Sequence, residues 1–342
     1  MKKIIAILAA IIMLATIPTF ASGIEIQATM HSKSNAQDRL WVGSFQLVWN
    51  DFMNKIVHNP VRFREGTPQL VIDLNKQTFV DEDVSENSYY KYTGKVKKNT
   101  KKQIAKGIRK KFKESSDLLD NLDLTPRNDM FVIYAMLKKD FEFINAFDKL
   151  GRSAFGDGVM AEYFGIGAES DKKLLGRNVK VLFYNDPSDY AVKLLTTGND
   201  EVYLYKHVSN KPFNFIYADM LKKQKLFNGN TEFKKVDELM IPNISMFEEK
   251  VFGELQNRRV MGTNLVINQA METIKFDMDN KGVKLKSEAG LTAAVTSLLP
   301  PEELVPRLFY FDSTFVIFLK EKEKKNPYFA LRVNDITKFQ NK

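Results

Sequence analysis

The sequence contains no cysteine and only three histidines in 342 residues, and these absences exclude several classes of protein. Without cysteine the chain cannot form a disulfide framework, a zinc ribbon, an iron–sulfur cluster or a cysteine nucleophile. His31, His58 and His207 are widely separated, so the paired spacing of a metallohydrolase helix is absent. A composition that is 44% hydrophobic excludes a disordered or fibrous chain. We therefore expect a folded protein that uses no metal and no cofactor.

Long hydrophobic runs are also missing, except at the N-terminus. Lys2 and Lys3 precede eleven apolar residues (4–14), and Pro18 and small residues follow them. This order is typical of a secretory signal peptide, and the run is too short to span a bilayer. We predict cleavage near Ala21, with residues 1–21 as the signal peptide and 22–342 as a single secreted or periplasmic domain without a transmembrane segment. The absence of cysteine from an exported chain favours a bacterial source.

Motifs for catalysis are incomplete. The Gly-Ile-Gly sequence at 165–167 lacks the third glycine of a dinucleotide fingerprint, and neither a nucleophile elbow nor a phosphate-binding loop occurs. Asp277, Asp279 and Glu288 have the outline of a calcium loop, but Lys281 stands where an oxygen ligand is needed and the flanking residues alternate as strands do. We interpret this segment as the turn of a β-hairpin, and we expect that the protein is not an enzyme.

The apolar spacing predicts an α+β fold with mostly antiparallel sheets. Helix patterns cover residues 39–56, 101–113 and 217–226. Strand patterns cover residues 69–74, 130–137, 179–184, 201–205, 213–217, 239–241, 273–278, 283–287, 309–319 and 328–333. The region 57–95 otherwise shows no clear period, so its structure is left open.

Positive charge is concentrated in one segment. Ten basic residues and no acidic residue lie between Lys95 and Lys113. Ile104, Ile108 and Phe112 form an apolar stripe, and at about 100° per residue the opposite face carries four cations. These cations are Lys102, Lys106, Arg109 and Lys113. The face is either the solvated side of an amphipathic helix or a site for an anionic polymer or surface. Because no aromatic residues separate the cations, specific nucleic-acid recognition is not favoured.

The C-terminal segment is the most informative. Residues 309–319 (Phe-Tyr-Phe-Asp-Ser-Thr-Phe-Val-Ile-Phe-Leu) resemble the C-terminal signature of the serpin family. Residues 326–333 resemble the partner strand of that signature, and residues 265–282 resemble the strand that leads into the reactive loop. Residues 131–137 and the basic helix before them resemble the family's central strand and the helix preceding it. The chain is thus similar to serpins from about residue 98 onward.

The N-terminal part, 22–95, is less similar. After the predicted helix 39–56, no segment following Pro60 resembles the serine-rich start of the family's helix under the sheet. Glu272 stands where the family has a histidine near the top of the sheet. The resemblance therefore implies a divergent, shortened, bacterial-type exported member with a serpin-like fold.

The resemblance also implies a mechanism. A serpin offers an exposed loop to a protease, is cut, and inserts the loop as a new strand into its central sheet with the acyl-enzyme attached. We therefore expect an inhibitor of a serine or cysteine protease. The alternative is a non-inhibitory serpin-like binding or surface protein that uses the basic helix.

Two registers are open for the hinge of the loop. Counting forward from the upstream strand makes Gly282 the hinge glycine. The alternating apolar and charged residues after Gly282 also fit the second strand of a preformed hairpin. Counting backward from Phe315 makes Gly290 the hinge glycine. The small residues that follow Gly290 include Thr292, Ala293 and Ala294.

In the second register the exposed loop covers about residues 291–307. The scissile bond then falls within Glu303, Leu304 and Val305, and Leu304 is the side chain offered to the protease.

Overall fold

The structure, a computed structural model, describes residues 23–116, 118–126, 131–207, 209–267, 269–285 and 305–340. The predicted signal peptide lies outside the described residues. The α-helices are α1 (Gly43–Asp51), α2 (Gln69–Leu74), α3 (Thr100–Phe112), α4 (Lys172–Leu175) and α5 (Phe213–Leu226). A π-helix (Phe52–Val57) continues α1, and 3-10 turns occupy Asp81–Asp83, Glu86–Ser88, Gly176–Asn178, Gly253–Leu255 and Ile336–Phe339. None of the helices in these ranges is long and apolar enough to cross a membrane.

The strands form three larger sheets and two short pairs. In chain order they are β1 (Glu25–Gln27), β2 (Arg39–Val42), β3 (Tyr89–Lys95), β4 (Phe131–Leu137), β5 (Lys139–Glu142), β6 (Asp148–Phe155), β7 (Val159–Ile166), β8 (Val179–Asp186), β9 (Asp189–Leu195), β10 (Asp200–Lys206), β11 (Glu238–Pro242), β12 (Ile244–Val251), β13 (Arg258–Arg259), β14 (Val266–Ile267), β15 (Met271–Met278), β16 (Gly282–Leu285), β17 (Leu308–Tyr310), β18 (Phe315–Glu321) and β19 (Phe329–Val333). This mixture of helices and mostly antiparallel sheets confirms the predicted α+β class.

The largest sheet has seven strands in the order β1-β2-β19-β18-β10-β9-β8. Its central strand β18 is buried on both faces, which explains why its first five residues are an unbroken apolar run. The predicted strand 309–319 is in fact two strands. The chain leaves β17, which pairs with β11, and enters the seven-stranded sheet only at Phe315. β17, β11, β7 and β6 form a separate sheet, called here the small sheet.

A further sheet is interrupted along its length. One part has the order β12-β15-β16-β5, and the other is the pair β3-β4. A single residue, Lys138, separates β4 from β5, so both parts share one continuous stretch of chain. We call β12, β15, β16 and β5 together with β3 and β4 the split sheet.

Helix α1 lies between the split sheet and the rest of the main core. Leu47 and Trp49 are buried, and Phe45 stacks on Phe252 with 4.0 Å between ring centroids. The predicted helix 39–56 begins four residues later than expected, because residues 39–42 form β2 against β19 and only then does α1 begin.

Two segments that the sequence pattern predicts as strands are helical in the structure. Residues 69–74 form α2, in which Val71 and Leu74 are buried at helical spacing. Residues 213–217 open α5, in which Phe213, Ile216 and Met220 face the core. In both cases a short window of β-branched or aromatic residues predicts a strand. The side chains that are buried are instead three or four residues apart, which is the spacing of a helix.

Helix α3 confirms the predicted basic helix and covers the outer face of β3 and β4. Ile104 and Ile108 are fully buried there against Val132 and Tyr134. At Gly107 the helix approaches Tyr90 so closely that a Cβ atom would lie 2.3 Å from the tyrosine hydroxyl. The opposite face of β4, which includes Ile133 and Leu137, packs on the main core.

A buried ion network fixes the β5 end of the split sheet. The ammonium group of Lys139 contacts the carboxylate of Glu321, which is fully buried, and lies 2.8 Å from Asp200 Oδ1. Burial alone raises the pKa of Glu321, but hydrogen bonds from Lys139 and Ser85 hold that pKa below its ordinary value. Tyr328 donates a hydrogen bond to Asp200 at 3.0 Å. β5 is thereby tied to the seven-stranded sheet.

Replacing Lys139 tests this tie. We expect Lys139→Met to lower the free energy of unfolding by about 3–5 kcal/mol, because two carboxylates would lose their buried cation. The double variant Lys139→Met/Glu321→Gln should recover part of the loss, since one uncompensated charge is removed. Urea denaturation of both variants measures the difference. Equal stability of the single variant and the wild type would contradict the structural role.

Candidate functional site

The split sheet contains a cleft between β4 and β15. Among the described residues, β4 pairs only with β3, while β15 pairs with β12 and, at Asp277 and Met278, with β16. The facing edges of β4 and of most of β15 therefore make no ladder with each other. A cavity of about 220 Å³ lies between them. Its floor is apolar and belongs largely to α1, with Phe45, Val48 and Trp49.

β16 closes one end of this cleft. It is antiparallel to both neighbours, with Val283 opposite Met278 of β15 and Phe141 of β5. The turn before it is held by Asp279, whose carboxylate accepts the N–H of Lys281 at 2.8 Å. The structure therefore confirms the predicted hairpin turn. Gly282 begins β16 where a Cβ atom would lie 2.2 Å from the carbonyl oxygen of Phe141, so no larger residue fits.

The predicted loop residues are only partly within the described chain. Gly290, Thr292, Ala293, Ala294, Glu303 and Leu304 lie outside the described residues. Val305 is described and is 89% exposed. Two residues later, Arg307 donates to Asp237 at 2.6 Å, and Asp237 is fully buried. Leu285 of β16 is thus the last residue described before the predicted loop, and Arg307 anchors the chain beside the small sheet.

Glu272 lies in the wall of the cleft and is almost fully buried. It belongs to β15, is 5% exposed, and accepts a hydrogen bond from Ser44 Oγ of α1 at 2.6 Å. Burial raises the pKa of Glu272 to about 7, and the hydrogen bonds from Ser44 and from the N–H of Phe45 oppose this rise only in part. Oε2 has no partner within the described chain. The sequence marked this position only as a departure from the serpin histidine.

Lys250 is the residue directly opposite Glu272 on β12. Its ammonium group lies 6.0 Å from the centroid of the Phe252 ring, and Glu272 has no ion pair among the described residues. Ser44 therefore links α1 to β15 through a carboxyl group that titrates near neutral pH.

The predicted polyanion residues lie together on α3. Lys102, Lys106 and Arg109 are exposed on the helix, and Lys113 is exposed at its C-cap. Of the neighbouring cations, Lys101 pairs with Asp120 at 2.8 Å and Lys111 donates to the carbonyl oxygen of Glu86 at 2.5 Å. Within the described ranges the four predicted cations have no acidic partner. The exposed face of α3 is thus a continuous positive surface on the outside of the split sheet.

Comparison with known proteins identifies the fold. No protein-family profile and no curated protein sequence matches the chain. Among solved structures, a mouse protein Z-dependent protease inhibitor matches with 12% identity over 90% of this chain and 92% of that chain, with a TM-score of 0.50. Serpin48 of the insect Tenebrio molitor has 14% identity over 87% and 91% of the two chains, with a TM-score of 0.42. Thyroxine-binding globulin in complex with thyroxine has 12% identity over 87% and 92%, with a TM-score of 0.45.

The likeness to the mouse inhibitor establishes that this chain has a serpin-like fold, as the C-terminal signature predicts. At such low identity the likeness concerns the fold alone.

The titration of Glu272 gives a pH-dependent prediction. Because its pKa of about 7 in the folded protein lies above the ordinary 4.5, the folded state binds the proton more tightly than the unfolded state does. The stabilisation is complete below about pH 4.5 and is lost as the pH rises through 7. We expect Glu272→Gln to be more stable than the wild type at pH 8.5, by up to about 3 kcal/mol, and to lose this advantage at pH 5.

Thermal or urea denaturation at the two pH values measures the effect. Glu254→Gln removes the same charge from an exposed position and should show no such pH dependence. A constant difference between Glu272→Gln and the wild type from pH 5 to 8.5 would contradict the raised pKa.

Proposed function

We propose that this chain is an exported serpin-like inhibitor of a serine or cysteine protease, not an enzyme. Its reactive loop covers about residues 291–307, and the cut loop enters the cleft between β4 and β15. The observation that carries the proposal is the position of β16. This strand already occupies the end of the cleft, directly before the loop. Among the described residues, the facing edges of β4 and β15 beyond it are not paired with another strand.

The register of β16 supports the proposal. Val283 faces the main core and is fully buried, whereas Lys284 faces outward and is partly exposed. If the pairing with β15 continues, Ser287, Ala289, Leu291 and Ala293 follow Val283 on the inner face. The charged residues Lys286 and Glu288 then face outward. An uncharged inner face is what an apolar cavity requires.

The anchor at the far end of the loop also suits this mechanism. Arg307 donates to the buried Asp237 and, through Nη1, to the carbonyl oxygen of Asn230 at 2.6 Å. A cut near Leu304 would leave this anchored part on the small sheet and free the part attached to β16. The mouse protein of the same fold is itself a protease inhibitor by name.

The two alanines of the loop provide a matched test. We expect Ala293→Glu to abolish inhibition and to be cut as a substrate, because a carboxylate would have to enter the apolar cleft. Ala294→Glu adds the same charge on the outward face and should remain an inhibitor. Incubation with a panel of serine and cysteine proteases, followed by denaturing gels for a covalent complex and mass spectrometry of the cut, measures both. Equal behaviour of the two variants, or a cut outside 291–307, would reject the proposed insertion.

A second proposal concerns the exposed face of α3, which carries Lys102, Lys106, Arg109 and Lys113. We propose that it binds an anionic polymer or surface, which would also be the activity of a non-inhibitory serpin-like protein. The support is the absence of acidic partners for these cations in the described part of the chain. When neighbouring lysine and arginine side chains neutralise a polyanion, the polyanion releases its condensed counterions, so binding at such a face is strong at low salt and falls as the salt concentration rises.

Heparin chromatography tests the second proposal. We expect Lys102→Gln/Lys106→Gln/Arg109→Gln to elute at clearly lower salt than the wild type, because three cations of one face are removed. The control Lys222→Gln/Lys225→Gln/Lys235→Gln removes three other exposed lysines and should elute close to the wild type. If both triple variants shift equally, only net charge matters and α3 is not a site.

A further inference from the structure

Three short segments that are distant in sequence form a small antiparallel sheet. Residues 62–64 make the first segment, and Phe63 lies opposite Val260, directly after β13, in an antiparallel bridge. Beside this bridge the N–H of Arg64 donates to the carbonyl oxygen of Arg259 at 3.0 Å. β14 pairs with β13 as the third segment. Phe63 and Val260 are at most 1% exposed, so one face of this sheet is buried in the main core.

The other face of this sheet points away from the core. Because side chains alternate across a strand, the neighbours of the buried pair must face outward, and Arg62, Arg64, Arg259 and Met261 are indeed exposed. Val266 of β14 lies opposite Arg259 and therefore shares this face, at the rim of the cleft. We call Arg62, Arg64, Arg259, Met261 and Val266 the arginine platform.

The platform uses arginine in a chain that otherwise uses lysine. The sequence has 11 arginines and 40 lysines, yet four of the arginines lie at positions 62, 64, 258 and 259. No lysine occurs in residues 56–75 or in residues 251–274. A guanidinium group binds two oxygens of one phosphate or carboxylate at once and is less strongly hydrated than an ammonium group. A face that only had to remain in water would not need this chemistry, so the choice of arginine indicates an oxyanion ligand.

The platform carries a net positive charge. Glu65 accepts a hydrogen bond from Nε of Arg259 at 2.6 Å and another from the N–H of Arg259 at 3.1 Å, so it neutralises that arginine. Arg64 is oriented by a hydrogen bond from Nη2 to the carbonyl oxygen of Thr263 at 2.8 Å. Among the described residues, Arg62 and Arg64 have no acidic partner. Two guanidinium groups of the platform therefore remain available to an anion.

Two apolar side chains lie among these cations. Met261 begins the turn between β13 and β14, in which Gly262 adopts a φ of +76°. Its side chain is 52% exposed, and that of Val266 is 53% exposed. Such side chains add little to the binding of a hydrated polyanion. At a bilayer, however, apolar side chains enter the layer just below the phosphates that neighbouring cations bind, so this combination favours a membrane over a soluble polymer.

We propose that the arginine platform binds the surface of an anionic phospholipid membrane. The guanidinium groups of Arg62 and Arg64 bind lipid phosphates, and Met261 and Val266 enter the layer beneath them. Binding is peripheral and reversible, because two cations and two half-exposed apolar side chains contribute to it. The platform shares no residue with α3 or with the predicted loop, so the inference rests neither on the proposed inhibition nor on the proposed polyanion site.

Vesicle partition tests the cations. The full chain with Lys102→Gln/Lys106→Gln/Arg109→Gln, called here the reference protein, removes binding through α3. We expect the reference protein to bind vesicles of phosphatidylcholine mixed with phosphatidylglycerol, but not vesicles of phosphatidylcholine alone. Adding Arg62→Gln/Arg64→Gln should lower its partition into the mixed vesicles about tenfold or more, because two cations are lost. Both side chains are exposed, and urea denaturation verifies that the variant remains folded.

A control and a probe of insertion complete the test. Adding Lys222→Gln/Lys225→Gln to the reference protein removes the same charge from exposed positions of α5 and should change partition little. Because the sequence has no cysteine, Met261→Cys provides a single site for an environment-sensitive fluorophore. On mixed vesicles its emission should shift to the blue and be quenched by lipids with nitroxide-labelled chains. The same label at Lys222→Cys should show neither effect.

Each outcome decides the proposal. Failure of the reference protein to bind mixed vesicles overturns it, and so does equal binding with and without Arg62→Gln/Arg64→Gln. A label at Met261 that stays in water while the protein binds vesicles shows that no side chain is inserted there, which also overturns it. If Arg62→Gln/Arg64→Gln weakens retention on heparin but not partition into vesicles, the platform binds a soluble polyanion instead. None of these measurements involves a protease, so a failure of the proposed inhibition leaves them unaffected.

Discussion

The structure depends on one constraint, the separation of β4 from β15. Backbone N–H and C=O groups at a sheet edge are obligatory hydrogen-bonding groups, and two such edges facing each other are an unfilled place for a strand. The surrounding elements are arranged around this gap. Helix α1 supplies its apolar floor, side chains from residues 118–124 line its outer side, and β16 fills its end next to β5. The proposed function uses the same unfilled place, because a loop that enters it pairs both edges at once.

The two sides of the cleft are held with different strength. On the β3-β4 side, Lys91 lies 3.0 Å from Asp51 at the end of α1. Burial raises the pKa of Asp51, but hydrogen bonds from Lys55 and Lys91 hold that pKa below its ordinary value. At the β5 end, Lys139 is fixed by buried carboxylates. On the β15 side the side-chain link to α1 is the hydrogen bond from Ser44 to Glu272, whose charged form burial disfavours. The β3 side is thus tied to α1 by an ion pair, and the β15 side by a hydrogen bond to a buried carboxyl group.

The sequence anticipated much of the fold where the pattern was local or specific. The apolar run of β4, the amphipathic helix α3 and the turn before Gly282 follow from periodicities and turn residues within a few positions. The C-terminal signature identified the serpin-like fold, although it did not reveal that residues 309–319 divide between two sheets. The windows at 69–74 and 213–217 were misassigned because burial of every third or fourth residue, set by tertiary contacts, overrides β propensity.

The amino-acid sequence by itself therefore determined the class of fold, the position of the basic helix and the segment that holds the proposed loop, since each depends on neighbouring residues or on one contiguous signature. Only the tertiary structure decided that α1 lies beneath the sheet, that residues 118–124 line the cleft, and that Glu272 titrates near neutral pH. The physical reason is distance along the chain. Ser44 and Glu272 are 228 residues apart and Lys139 and Glu321 are 182 apart, and no local pattern encodes such pairs. These contacts, and the burial of the ionisable groups that make them, arise only when the sheets have packed.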